Sequence, residues 1–103
     1  GGVVVIQEIF GVNPHIRSVV DGYAEKGYAA IAPKIFDRVE RNVELGYEEQ
    51  ADFDKGLKIA FSDLEISDTL KDIQATVNTL SKHGKVGVVG YCFGGLLTWL
   101  SAC

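Results

Sequence analysis

Gly84-Lys85-Val86-Gly87-Val88-Val89-Gly90-Tyr91-Cys92-Phe93-Gly94-Gly95 runs from a β-branched segment into a turn dense in glycine, and then into Leu96, Leu97, Trp99 and Leu100. Residues 86–90 read as a strand and residues 93–103 as a helix, so Cys92 falls at a strand-to-helix junction with the spacing G-x-C-x-G. In a turn this sharp the residues two positions either side of the centre must be small, and the central side chain is thrust above the sheet. Gly90 and Gly94 meet that steric demand. At a helix N-terminus the unpaired N–H groups and the dipole favour a thiolate, which is the nucleophilic form. An arbitrary cysteine is more often a small buried apolar residue, but the flanking glycines reverse that reading here. The dinucleotide fingerprint needs G-x-G-x-x-G after the first strand and the phosphate-binding loop needs Gly-Lys-Ser/Thr. Neither is present.

Working outward, Val3-Val4-Val5-Ile6 is a continuous β-branched run suited to a central strand buried on both faces. Asn13-Pro14 supplies a helix start, since Asn13 can cap and Pro14 fits the first helical position. Ile16, Val19, Val20, Tyr23 and Ala24 then form one apolar stripe, closed by Gly27. Residues 28–33 read as a second strand stopped by Pro33. Residues 35–63 are charged and less periodic, with one helix expected between residues 47 and 60 that carries Ala51, Leu57 and Ala60 inward; Gly56 weakens it. Ser67 or Asp68 can cap a further helix bearing Leu70, Ile73, Val77 and Leu80, and Lys82-His83-Gly84 ends it. Strands alternating with helices predict an α/β fold with a three-stranded parallel sheet flanked by helices, in one domain over residues 1–103.

Composition narrows the function classes. A chain of 103 residues with 47% hydrophobic and 23% charged residues is globular rather than disordered. The net charge of −4, with no two Lys or Arg residues adjacent, argues against a nucleic-acid partner. The longest apolar runs fall far short of the roughly 20 residues that cross a bilayer, so no membrane role is expected. Absence of a basic-then-apolar start points to the cytoplasm. Cys92 and Cys103 suit neither a zinc site nor a disulfide framework.

A second segment, Gln7-Glu8-Ile9-Phe10-Gly11, follows the first strand. Both segments leave carboxyl ends of parallel strands, where open α/β sheets bind ligands, so they should face one crevice. Glu8, partly buried there, would have its pKa raised unless a partner pairs with it, and could take a proton from a nearby thiol. The plainer reading has Glu8 facing solvent.

Three segments together resemble the dienelactone hydrolase family of the α/β-hydrolase superfamily: V-V-V-I-Q-E-I-F-G-V-N at residues 3–13, G-Y-A-A-I-A-P at 27–33, and G-K-V-G-V-V-G-Y-C-F-G-G at 84–95. The resemblance implies a partial α/β-hydrolase fold with strands in the spatial order second, first, third. It implies Cys92 as nucleophile and Glu8 as the carboxylate that helps generate the thiolate. The backbone N–H groups of Ile9 and Phe93 would then form the oxyanion hole. The implied substrates are small esters or lactones bearing a carboxylate, cleaved through an acyl-enzyme without metal or organic cofactor.

The superfamily places an acid and then a His after the nucleophile, whereas the residues after Cys92 contain neither. The chain is therefore expected to be an internal part of a longer hydrolase, truncated at both ends and inactive alone. His15 fits a helix start and His83 a helix C-terminus better than a catalytic role. Arg38 and Arg41 could hold a substrate carboxylate or simply decorate a solvated loop. Tyr91 and Trp99 read as packing residues. Exposed strand edges and the uncovered faces of Leu96, Leu97, Trp99 and Leu100 predict a homodimer. The competing reading is a catalytically inactive α/β association module.

Overall fold

The computed structural model describes residues 1–102. Cys103, the end of the expected last helix and the second cysteine, lies outside the described residues. Strand β1 (Gly2–Ile6) leads through a loop to helix α1 (Pro14–Glu25), strand β2 (Ala29–Ile31) and a 3-10 turn at Ile35–Arg38. Helix α2 (Gln50–Lys58) runs into a π-helical turn at Ile59–Asp63, followed by helix α3 (Ile66–Leu80), strand β3 (Val86–Gly90) and helix α4 (Phe93–Ala102). The sheet is parallel in the order β2-β1-β3, as expected. Gly2 pairs with Ala29 on one side and with Val86 on the other, and Ile6 ends level with Gly90.

Strand β1 is central because both of its faces have apolar cover. Val4 and Ile6 join Ile35, Phe36, Ile73, Leu80, Phe93 and Leu97 on one side of the sheet. Val5 joins Val12 and Ile16 on the other, under α1. Val4, Val5 and Ile6 are wholly excluded from water, and each contributes about 1.5–3 kcal/mol relative to exposure. Helix α1 starts as its sequence dictates: Pro14 occupies the first turn, and the Asn13 Oδ1 accepts from the Ile16 N–H at 3.1 Å.

Four expectations are corrected. The second strand covers three residues rather than residues 28–33. The Tyr28 N–H is taken by the Tyr23 carbonyl at 3.2 Å, and the Ile35 N–H by the Pro33 carbonyl at 3.0 Å, so both ends leave the ladder. Helix α3 starts at Ile66, with Glu65 at the cap position and no side-chain cap bond. The π-helical turn delivers the chain to it early, leaving Ser67 and Asp68 inside the first turn. Ala51 lies at the exposed start of α2, whose inward contacts are made by Gly56 and Leu57, with Ile59 and Ala60 following. Leu97, expected to be uncovered, is fully buried, while Leu96 and Trp99 remain 41% and 68% exposed.

Candidate active site

Because Ile6 and Gly90 are register partners, the segments that leave them emerge side by side at the carboxyl edge of the sheet. Cys92 sits between β3 and α4 with φ +53°, a left-handed conformation that a side chain with a Cβ adopts at a cost of about 1–2 kcal/mol. Its carbonyl accepts from the Leu96 N–H at 3.1 Å, so the helix begins directly after the thiol. The two glycines are sterically required. A Cβ on Gly90 would overlap the Gly94 carbonyl, and one on Gly94 would lie 2.5 Å from the carbonyl oxygens of Ile6 and Gln7. The thiol is free and exposed.

Glu8 is half-buried and faces the same cavity as Cys92. That cavity, of about 260 Å³, is lined by Glu8, Ile9, Phe10, Phe53, Leu57, Phe61, Cys92 and Phe93. The partner that Glu8 needs is Tyr47, whose hydroxyl donates to Oε1 at 2.8 Å. The Asn13 Nδ2 donates to the Tyr47 oxygen and to the Leu45 carbonyl, each at 3.1 Å. One asparagine thus caps α1 and anchors the tyrosine that holds the carboxylate. Burial raises the Tyr47 pKa; Glu8, through its hydrogen bond and charge, raises it further, against the lowering by Asn13. A backbone bridge between Gly11 and Glu44, with the Leu45 N–H on the Phe10 carbonyl at 2.8 Å, brings this loop across.

Ile9 is fixed from behind by α2, where a Cβ on Gly56 would overlap the Ile9 carbonyl. This explains a glycine inside a helix. Gln7 is fully buried and donates from Nε2 to the Glu8 carbonyl at 2.9 Å, while its Oε1 has no partner among the described residues. No group of three or more metal-ligating side chains converges among the described residues.

Cys92, Glu8, Ile9 and Phe93 are therefore brought together, and Arg38 and Arg41 are not. The Arg38 Nε and Nη2 donate to Asp72 at 2.7 and 2.9 Å. Both arginines line a different, open cavity of about 560 Å³ with Lys34, Asp37 and Asp72. His15 stacks edge-on against Tyr47 at 6.1 Å, and His83 lies before β3, at the opposite end of the strand from Cys92. Tyr91 and Trp99, expected to pack, are half or more exposed. Sequence reasoning missed Tyr47, Phe53 and Phe61 as site residues. The Tyr47–Glu8 bond spans 39 positions and carries no periodic signal.

The Dienelactone hydrolase family model matches residues 1–103. The chain belongs to the dienelactone hydrolase family. It is 45% identical over 106 residues to a candidate carboxymethylenebutenolidase of Synechocystis sp., which covers 97% of this chain and 42% of that protein. It is 32% identical over 105 residues to the carboxymethylenebutenolidase of Pseudomonas putida, covering 97% of this chain and 44% of that protein. A crystal structure of a candidate dienelactone hydrolase from Klebsiella pneumoniae superposes with a TM-score of 0.75 at 32% identity, over 97% of this chain and 41% of that one. The chain thus spans less than half the length of these dienelactone hydrolase relatives. The sheet order β2-β1-β3 and the tight turn at Cys92 lie inside the region they share.

Proposed function

We propose that this chain carries the nucleophile-bearing part of a cysteine-dependent ester or lactone hydrolase. Cys92 attacks the carbonyl carbon and Glu8 takes the thiol proton. The backbone N–H groups of Ile9 and Phe93 stabilise the developing oxyanion. The single observation that carries this reading is the left-handed Cys92, wedged between two glycines that admit no Cβ. Such strain persists where surrounding structure over-determines it, typically at functional positions. Glu8 at the wall of the same cavity supplies the proton acceptor.

Neither histidine of the sequence lines that cavity. An acyl group transferred to Cys92 consequently has no imidazole at hand to activate water, and loss of a triad member typically removes several orders of magnitude of rate. The expected behaviour of this chain is one acylation per thiol with little turnover. Intact-protein mass spectrometry after mixing with an aryl acetate should show a single persistent acetyl adduct, mapped to Cys92 and absent in Cys92→Ala. Steady release of the aryl alcohol over many equivalents, lost in Cys92→Ala, would contradict the incomplete-triad reading. Equal adduct formation in Cys92→Ala would contradict the nucleophile itself.

A further inference from the structure

The oxyanion donor assigned to Ile9 belongs to a peptide whose other end is already occupied. The Glu8 carbonyl and the Ile9 N–H are the two ends of one planar trans unit and point in opposite directions, so whatever fixes the carbonyl aims the N–H. Gln7 fixes it, by donating from Nε2 to the Glu8 carbonyl at 2.9 Å. The reverse amide orientation would set two acceptors against each other, so the place of the nitrogen follows from the contact. Residues 7–10 lie outside every strand and helix, and no ladder holds the tilt of this peptide. The next two carbonyls are held by other means, that of Ile9 by the close approach of Gly56 and that of Phe10 by the Leu45 N–H at 2.8 Å.

Gln7 is costly where it stands. It is wholly excluded from water, and its Oε1 has no partner among the described residues. A buried amide with an unmet acceptor loses stability that an apolar side chain of equal volume would keep, so filling the core does not account for it. Its backbone adds a second constraint. A Cβ on Gly94 would lie 2.5 Å from the Gln7 carbonyl oxygen, so Gln7 abuts the first turn of α4 beside Phe93, the other assigned donor. One residue thus reaches both sides of the proposed oxyanion hole. A donor on the Glu8 carbonyl also polarises the amide, which makes the Ile9 N–H more positive as charge develops in front of it.

We propose that Gln7 is a positioning residue: its buried amide locks the Glu8–Ile9 peptide so that the Ile9 N–H, with that of Phe93, is aimed at the oxygen of the tetrahedral intermediate formed on Cys92. This rests on Cys92 as the nucleophile and on the two donors assigned with it, and names the group that acts through one of them. A donor aimed in advance loses nothing to reorientation during the reaction. Gln7 itself touches no reacting atom.

Two reactions of the same thiol separate this role from a structural one. With an aryl acetate the sulfur bonds to the carbonyl carbon through an oxyanion, the carbon–oxygen bond breaks, and the thiol proton leaves with the aryl alcohol. With iodoacetamide the thiolate displaces iodide, which departs with the bonding electrons, and no oxyanion forms. Both rates are measured at Cys92 on the 103-residue chain by mass spectrometry. Gln7→Met keeps the length of the side chain without a donor. It should slow acetylation by about tenfold, short of the roughly 10²–10³ that outright loss of an oxyanion donor costs, and leave alkylation within about twofold. Gln7→Glu tests rescue, because a neutral carboxylic acid can donate to the Glu8 carbonyl and a carboxylate cannot, while burial raises the pKa of the substituted group. Its ratio of acetylation to alkylation should match that of the wild type at low pH and fall away from it as pH rises. Unaltered acetylation in Gln7→Met would overturn the proposal, and equal loss of both reactions would do so by making Gln7 a structural residue. Should Gln7→Met not fold, Gln7→Glu decides alone: a ratio that parallels the wild type at every pH overturns the proposal. A wild-type chain that gains no acetyl group at Cys92 would instead remove the nucleophile and, with it, this inference.

Discussion

Cys92 is held in a conformation that suits glycine better than cysteine. Relieving the left-handed strain is worth about 1–2 kcal/mol, and the added freedom of an unfolded glycine returns about 0.5–1 kcal/mol of it. Cys92→Gly should therefore raise stability by about 0.5–1 kcal/mol while abolishing acyl transfer, whereas Cys92→Ala keeps the strain and should leave the denaturant midpoint nearly unchanged. A lower midpoint for Cys92→Gly would refute the claim of stored strain. At Tyr47 the neutral form is favoured in the folded chain, by burial first and then by Glu8. A folded pKa above the unfolded one contributes stability that is complete below about pH 10 and disappears as pH rises through the folded value. Phenolate absorbance, taken as the difference between the wild type and Tyr47→Phe, should show a transition displaced upward. Glu8→Gln should bring it only part of the way back, because burial remains. An unshifted transition in Glu8→Gln would show that the 2.8 Å bond does not persist in solution. The G-x-C-x-G spacing is legible in the sequence because its glycines answer a local steric demand. Tyr47 is not, because it acts through a fold-dependent contact between distant loops.

Strand β1 and helix α1 were legible for the same reason: a β-branched run, an Asn-Pro start and an apolar stripe are each complete within a dozen residues. The stretch between β2 and α3 was less so. There Ile35 and Phe36 are buried by a 3-10 turn and Ile59 by a π-helical turn, and neither has the period of an α-helix. Gly56 illustrates the difference. Propensity marks it as a weak point in α2, and replacing it with alanine would gain about 1 kcal/mol in an isolated helix. Here the new Cβ would overlap the Ile9 carbonyl, and overpacking of this kind costs about 1–3 kcal/mol. Gly56→Ala is expected to be net destabilising in urea unfolding and to slow Cys92 acylation, since Ile9 is displaced. A stabilised Gly56→Ala with unaltered acylation would show that α2 does not fix the Ile9 backbone.

Among the described residues both outer strands pair on one side only, with β2 and β3 flanking β1. Tyr91, Leu96 and Trp99 stand 50%, 41% and 68% exposed on and beside α4. Two copies meeting through these edges and rings would bury several large side chains, the simplest closed arrangement being two-fold. Light scattering behind a sizing column should give about twice the 11.2 kDa chain mass at micromolar concentration; Leu96→Asp should shift the balance to monomer. A wild-type monomer at tens of micromolar would refute the association. The paired register of β1 has a further consequence, for the order of events during synthesis. Gly2 has its second neighbour at Val86, roughly eighty positions later, and contacts so remote are slow to close. At about 5–20 residues per second, the most apolar strand of the sheet waits several seconds on the ribosome with one edge open. The segment most in need of a chaperone is thus the one made well before its second partner, and the glycine-flanked thiol reaches its place only when that wait ends.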